Sequence, residues 1–250
     1  MIKRSKKVAL VTGSSKGIGN NIADTLLANN YTVYINGRNL TKLKTQKKYI
    51  NKSVKFIQAD LCSEKYVKST LRKILKNEGK IDLIVSNIGD GKYSSGYDFN
   101  IKDFYKIFEI NFFSAVLVSR HAIDYMKKEK GHIIFVSSIA GCESLPAPIA
   151  YSAAKTALLS YSKNLANEVA KYNIRINTIS PGNVMFKGST WDKKYKINKN
   201  AIQKYIKNNV PLNCFIEPND ISQAVIFLEN SNHVTGTNII IDGGQTRKII

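Results

Sequence analysis

Short apolar segments alternate with longer helical ones along most of the chain, and this alternation limits the possible folds more than any other feature. The predicted strands are Val8–Thr12, Tyr31–Ile35, Val54–Ala59, Ile81–Val85, His132–Val136, Ile174–Ile179 and Asn238–Ile241. The predicted helices follow Gly19 and cover Leu40–Ile50, Glu64–Asn77, Ile101–Lys128, Ile149–Lys171 and Asn219–Glu229. Strands that alternate with helices in this way form a parallel sheet with helices on both faces. The sequence therefore predicts an α/β, doubly wound fold with a seven-stranded parallel sheet.

The composition predicts one compact catalytic domain over residues 1–250. The chain is 43% hydrophobic and contains only five prolines, and it has no Gly/Ser-rich linker. No apolar stretch approaches the roughly 20 residues that cross a bilayer, so we expect no membrane partner and a cytoplasmic location. The three cysteines are far apart in sequence, which predicts neither a disulfide framework nor a metal site.

A formal charge of +20 is the unusual total. It could reflect a nucleic-acid partner, an acidic protein partner, an anionic substrate or a lysine-rich composition. The lysines are dispersed rather than gathered on one helix with interleaved aromatic residues. Dispersed lysines favour a solvated, compositionally biased surface, so we predict no nucleic-acid partner.

A glycine-rich loop follows the first predicted strand. Gly13, Gly17 and Gly19 stand between that strand and the first helix. Glycines there let the backbone approach a pyrophosphate closely, and the N–H groups and dipole of the helix N-terminus favour its negative charge. Because the loop opens a series of strand–helix units, it predicts a dinucleotide site.

The end of the second strand predicts which dinucleotide is bound. An NAD site usually places an acidic side chain there, but this chain reads Asn36-Gly37-Arg38. Arg38 can pair with a 2′-phosphate, and Lys16 in the glycine loop can add a second positive charge. We therefore predict NADP(H) in preference to NAD(H).

The third feature is a phenol and an ammonium group on one predicted helix. Tyr151 and Lys155 are four residues apart, which places them on the same face. Ser138 lies 13 residues before Tyr151, just after a strand, and Asn111 lies within the preceding long helix. With the glycine loop, these residues resemble the compact form of the short-chain dehydrogenase/reductase family, from Val8 to Gly244.

The resemblance implies a Rossmann fold and a set of site residues. It implies a catalytic tetrad of Asn111, Ser138, Tyr151 and Lys155. It implies cofactor contacts from Gly13, Ser15, Lys16, Gly17, Ile18, Gly19, Arg38, Asp60, Leu61, Asn87, Gly89, Tyr151, Lys155, Pro181, Gly182 and Val184. The chain departs from the family where a threonine usually follows the Pro-Gly turn, since Phe186 stands there, and Ser189 or Thr190 would have to replace that contact.

The tetrad predicts carbonyl reduction or the reverse alcohol oxidation. The oxygen of a ketone gains negative charge as hydride reaches the carbon, and a proton donor must meet it. A free tyrosine has a pKa near 10, so we expect the Lys155 ammonium and the positive nicotinamide to lower the pKa of Tyr151. The resemblance implies that Ser138 binds the substrate oxygen and that Asn111 keeps a water that links Lys155 to solvent.

The substrate is the part of the function that the sequence leaves open. The run Asn173–Gly182 and the chain length resemble 3-oxoacyl-[acyl carrier protein] reductases, whose acidic, carrier-bound substrate suits a basic surface. The polar substrate loop at about 183–215 equally favours a small anionic metabolite, and hence a sugar or polyol dehydrogenase. A dinucleotide-sensing or nucleic-acid-binding module without turnover is a third alternative; the complete tetrad argues against the first, and the dispersed lysines argue against the second. The family resemblance also implies a homotetramer.

Overall fold

The computed structural model describes residues 6–39, 41, 53–91 and 96–247. Seven parallel strands form one sheet in the order β3-β2-β1-β4-β5-β6-β7. Their bounds are Val8–Val11 (β1), Thr32–Gly37 (β2), Val54–Gln58 (β3), Leu83–Ser86 (β4), His132–Val136 (β5), Arg175–Pro181 (β6) and Asn238–Ile241 (β7). The predicted doubly wound parallel sheet is thereby confirmed.

Helices connect the strands. They are Gly17–Ala28 (α1), Glu64–Glu78 (α2), Ile101–Phe108 (α3), Ser114–Met126 (α4), Ile149–Val169 (α5), Thr190–Ile197 (α6), Lys199–Asn209 (α7) and Pro218–Asn230 (α8). The helix predicted at 40–50 lies outside the described residues. No helix in the described part of the chain is both long and apolar enough to cross a bilayer.

Two apolar clusters cover the two faces of the sheet. Successive residues of β1 point to opposite faces, so Leu10 joins one cluster with α2, α4 and α5, and Val11 joins the other with α1 and α8. Strands buried on both faces need apolar side chains at nearly every position, which is why they read as continuous apolar runs. The clusters hold the sheet rigid and leave the strand ends to carry polar groups.

One predicted helix is interrupted. The expected helix Ile101–Lys128 consists of α3, a π-helical turn over Glu109–Phe113, and α4. The turn contains Asn111, whose Nδ2 donates to the carbonyl of Ile107 at 3.0 Å. The prediction of one continuous helix was wrong because periodicity alone does not register one extra residue in a turn.

The segment 183–215 carries its own small apolar cluster. Buried Ile202, Val210 and Phe215 pack with partly buried side chains that include Trp191 and Tyr205. The Trp191 ring lies 4.7 Å from the Phe215 ring and 5.0 Å from the Tyr205 ring between centroids. The segment therefore folds around its own apolar cluster and has a basic exterior, and it is not simply a polar loop.

Candidate active site

The predicted site residues lie at the carboxyl ends of the strands. The strand order reverses between β1 and β4, and in an open α/β sheet ligands bind in the crevice beyond such a point. The glycine loop follows β1, Asn87 follows β4, Ser138 follows β5, and Gly182 follows Pro181 at the end of β6. The fold therefore brings residues that are distant in sequence to one edge.

The glycine loop has the backbone geometry of a close ligand approach. Gly13 and Gly17 have φ values of +60° and +57°, which side-chain-bearing residues rarely adopt. A Cβ on Gly19 would lie 2.5 Å from Asn87 Nδ2 and 2.8 Å from the carbonyl oxygen of Gly13. Since α1 begins at Gly17, its first N–H groups face this crevice. The loop fits a dinucleotide pyrophosphate.

Two asparagines hold the loop. Asn87 Nδ2 donates to the carbonyl oxygens of Thr12 and Gly13, at 3.2 and 3.1 Å. Buried Asn36 accepts from the Gly13 N–H at 3.3 Å and donates to the Ala59 carbonyl at 3.1 Å. This role of Asn36 was not predicted from the sequence, where Asn36 stands out only because a carboxylate is more usual at that position. Its place at a strand end beside the loop was the available signal.

Tyr151 and Lys155 share one face of α5, as predicted. The Lys155 ammonium lies 5.8 Å from the centroid of the Tyr151 ring. It is only 3% exposed and donates to the Val136 carbonyl at 3.0 Å. In return, the Ser137 hydroxyl donates to the Lys155 carbonyl at 3.1 Å, which fixes α5 against the end of β5.

Burial controls the protonation of this pair. It raises the pKa of Tyr151, Asp90 raises it further, and a hydrogen bond with Ser138 lowers it. Burial also lowers the pKa of Lys155 to about 8. Burial thus shifts the Tyr151 pKa in the direction opposite to the one expected from Lys155 and a bound nicotinamide, because loss of hydration disfavours the charged form of each group.

Asn111 binds the loop that follows β4. Its Nδ2 donates to the Asp90 carbonyl at 2.9 Å, and its Oδ1 accepts from the Asp90 N–H at 3.0 Å. A Cβ on Gly89 would lie 3.1 Å from Asn111 Oδ1 and 3.3 Å from Lys155 Nζ. Asn111 and Lys155 thus approach the same glycine, and Ser138 is hydrogen-bonded to Tyr151 on the same helix as Lys155.

The residues predicted to contact the adenosine half lie along β1, β2 and β3. Lys16 occupies the N-cap position of α1 in the glycine loop, and Arg38 follows β2. Both residues are exposed. Asp60 accepts from the Cys62 N–H at 3.1 Å.

The side chain of Leu61 is 1% exposed and belongs to the core, so only its backbone can face a ligand. Ile18 also packs against the core, beside half-buried Ser15.

The residues predicted to contact the nicotinamide half follow β6. The N–H of Gly182 donates to the Ile241 carbonyl at 2.8 Å, which ties the Pro-Gly turn to β7. Val184 forms an isolated bridge with Ile216. The hydroxyl of Ser189 caps α6 by accepting from the Asp192 N–H at 3.0 Å, so it is engaged within its own helix.

Known proteins are similar to this chain in sequence and in fold. The family model described as short chain dehydrogenase matches residues 7–202. The 3-oxoacyl-[acyl-carrier-protein] reductase of Bos taurus is 30% identical over 239 residues, which cover 95% of this chain and 97% of that protein.

Two solved structures have similar folds. YwfH, an NADPH dependent reductase involved in bacilysin biosynthesis, has a TM-score of 0.90 at 25% identity and covers 98% of this chain and all 100% of its own. L-sorbose reductase from Gluconobacter frateurii, complexed with NADPH and L-sorbose, has a TM-score of 0.90 at 27% identity and 98% coverage of both chains.

The fold and the matching sequence define the class of the protein. The chain belongs to the short-chain dehydrogenase/reductase family. It is an NAD(P)-dependent oxidoreductase that acts on CH–OH groups.

Proposed function

We propose that this enzyme interconverts a carbonyl and a secondary alcohol with NADP(H), with Tyr151 as the proton donor in reduction. The observation that carries the proposal is a chain of contacts that links Ser138 to Tyr151, Tyr151 to Lys155, and Lys155 to Asn111 across Gly89. The four groups come from α5, the π-helical turn and the loop after β5, and a purely structural role would not require them to meet. The whole chain, 1–250, would act as one catalytic domain.

The side chains divide the chemistry between them. A bound nicotinamide supplies the hydride. Tyr151 donates a proton to the oxygen as its negative charge grows, and Ser138, in hydrogen-bonding reach of the phenol, holds that oxygen. The Lys155 ammonium stabilises the phenolate that remains, since a cation a few ångströms away favours the charged form of the phenol.

The Tyr151→Phe variant tests this assignment. It removes the donor oxygen and keeps the ring that packs over Gly91. We expect turnover to fall by at least about 10²-fold, because a positioned acid contributes roughly 10² to 10⁴-fold. NADPH binding, measured by fluorescence titration, should stay within about threefold of the unsubstituted enzyme. A variant that keeps more than about a tenth of the rate would contradict the role of Tyr151.

For the substrate, we propose a 3-oxoacyl group on an acidic carrier. The relative from Bos taurus carries the name of that activity. The segment 183–215 presents an exposed basic surface, which consists of Lys187, Lys193, Lys194, Lys196, Lys199, Lys204 and Lys207. A positive surface attracts an acidic carrier and accelerates its association.

A sugar or polyol substrate is the second candidate. The observation in its favour is the structural similarity to L-sorbose reductase. A screen of NADPH oxidation with acetoacetyl thioesters and with keto sugars separates the two, and NADH in parallel measures the cofactor preference. A higher kcat/KM for keto sugars than for thioesters would exclude the carrier-bound substrate.

Assembly as a homotetramer is also part of the proposal. Several large apolar side chains on α3, the π-helical turn and α5 are exposed in the single chain: Ile101, Tyr105, Phe113 and Ile149. The elements that carry these side chains contact one another, and exposed apolar side chains on neighbouring elements are typical of a subunit contact.

A further inference from the structure

The ring of Phe186 lies against the glycine loop. A Cβ on Gly17 would lie 2.6 Å from Cε2 and 3.0 Å from Cε1 of this ring, with Cζ also in contact. The three nearest atoms around that position all belong to Phe186. The ring edge therefore rests directly on the backbone of Gly17.

This is the position where the loop would receive a phosphate. Gly17 is the first residue of α1, and its left-handed backbone exposes the N–H groups of the first turn. A phosphate oxygen bound there must come within about 3 Å of those N–H groups. A benzene ring in contact with Gly17 excludes a phosphate from the same space and offers it no hydrogen bond.

The backbone around Phe186 is held at several points. The N–H of Met185 donates to the Ile216 carbonyl at 2.8 Å. On the other side, the N–H of Ser189 donates to the Phe186 carbonyl at 2.9 Å. The Phe186 N–H also donates to the Ser189 hydroxyl at 3.4 Å. Because these hydrogen bonds hold the main chain on both sides, the movement that takes the ring away from Gly17 is a rotation of the Phe186 side chain between staggered rotamers.

We propose that Phe186 is a gate on the pyrophosphate position: its ring covers Gly17 in the closed state that the structure shows and rotates away before the dinucleotide binds. This inference rests on the proposed dinucleotide function. If the gate is closed in most molecules, the apparent association constant equals that of the open form multiplied by the fraction of molecules that are open. The association rate falls by the same fraction, whereas the dissociation rate of the bound dinucleotide does not change.

Stopped-flow measurement of NADPH binding, followed by the fluorescence of the nucleotide, tests the gate. Phe186→Ala should raise the association rate constant by about fivefold or more and lower Kd in proportion, with the dissociation rate unchanged. Phe227→Ala is the matched control, because Phe227 is 57% exposed on α8, on the face of the sheet away from α5. It should leave both rate constants unchanged.

A second variant keeps the test decisive if Phe186→Ala does not fold. Phe186→Leu keeps an apolar side chain but removes the ring edge, and it should also associate faster than the unsubstituted enzyme. An unchanged association rate with faster dissociation would overturn the gate, since it would mean that the ring packs on the bound nucleotide. If the unsubstituted enzyme binds NADPH and neither variant associates faster, only the gate is wrong. If the unsubstituted enzyme and both variants bind no nicotinamide dinucleotide, the proposed function fails as well.

Discussion

At the scale of single residues, burial shifts the pKa values of Tyr151 and Lys155 in the directions that remove their charges. Burial raises the pKa of the phenol and lowers the pKa of the ammonium to about 8. A protonated phenol is the form that reduction needs, and burial favours that form near neutral pH. Lys155 is still charged below pH 8, and there it can stabilise the phenolate that follows proton transfer.

The pKa of Lys155 predicts a pH profile for reduction. The kcat/KM for NADPH reports groups of the free enzyme and should be constant below pH 8, then fall as Lys155 loses its proton. Measurement from pH 6 to pH 9.5 checks this expectation. Lys155→Arg keeps the charge throughout that range, so its lower rate should show no bend near pH 8. A flat profile for the unsubstituted enzyme would contradict the role of Lys155.

Arg38 predicts the cofactor preference. In Arg38→Gln the proposed partner of the 2′-phosphate is lost, and kcat/KM for NADPH should fall by about tenfold or more, since a charge-assisted hydrogen bond contributes roughly 1.5–3 kcal/mol. The value for NADH should change little. Arg120→Gln is the matched control, because Arg120 is an exposed arginine on α4. Equal losses with both cofactors would argue against a contact with the phosphate.

At the scale of elements, the π-helical turn places a polar side chain where an α-helix would not. Asn111 bonds the Ile107 carbonyl one turn back and the loop after β4 through both backbone groups of Asp90. A single-turn π insertion of this kind is frequent at functional sites. The turn therefore connects α3 and α4 to the loop that approaches Lys155.

Asn111→Ala measures that connection. It removes the two hydrogen bonds that Asn111 makes with the Asp90 backbone, and we expect a loss of about 1–3 kcal/mol of unfolding free energy in urea, together with a lower kcat. Asn164→Ala is the matched control. Asn164 makes the same bond to the carbonyl four residues back, at 2.8 Å to Ser160, but it is exposed on α5. An equal loss in both variants would assign the effect to helix chemistry alone.

The elements differ in how well the sequence predicts them. The strands were predictable because parallel strands buried on both faces require apolar residues, and β5 matches its prediction at both ends. The pairing of Tyr151 with Lys155 follows from helix geometry alone. The π turn and the Phe186 contact with Gly17 were not predictable, because each depends on which distant side chains meet across the folded molecule. The aromatic cluster of 183–215 was missed because lysines separate its apolar residues in sequence.

At the scale of the whole molecule, a buried charged network lies at the opposite end of the sheet from the candidate active site. Glu229 of α8 is 5% exposed and accepts from Tyr31, His132, Arg175 and Lys7. These partners stand at or just before the first residues of β1, β2, β5 and β6. A buried carboxylate is stable only when it is paired, so the network connects four strands and a helix through one charge.

Hydrogen bonds identify the protonation state of His132. The Asn177 carboxamide is oriented by two backbone contacts, from Nδ2 to the Val234 carbonyl at 2.8 Å and from the Thr237 N–H to Oδ1 at 3.2 Å. Its Nδ2 therefore faces His132 Nε2, at 3.0 Å, as a donor. Nε2 must be an unprotonated acceptor, and Nδ1 donates its hydrogen to Glu229. His132 is neutral in the folded protein.

The network predicts that acid destabilises the fold. Burial lowers the pKa of His132 from 6.5 to about 4, against the hydrogen bond to Glu229, which raises it. Burial would raise the pKa of Glu229, but its hydrogen bonds from His132 and Tyr31 lower it from 4.5 to about 2. Both pKa values are depressed in the folded state, so both groups contribute stability above their unfolded values and lose it as the pH falls.

Urea unfolding at a series of pH values measures this loss and separates the two groups. Between pH 6.5 and pH 4, His132 binds a proton in the unfolded chain but stays neutral in the folded protein. The free energy of unfolding should therefore decrease by about 3 kcal/mol over this range. The Glu229 loss begins only below pH 4.5. In His132→Gln the slope between pH 6.5 and pH 4.5 should be markedly smaller, even though the variant is less stable at pH 7. His233→Gln, the matched control, alters an exposed histidine outside the buried network and should keep the slope of the unsubstituted protein. If His132→Gln kept that slope too, the neutral buried histidine would not be the source of the acid sensitivity.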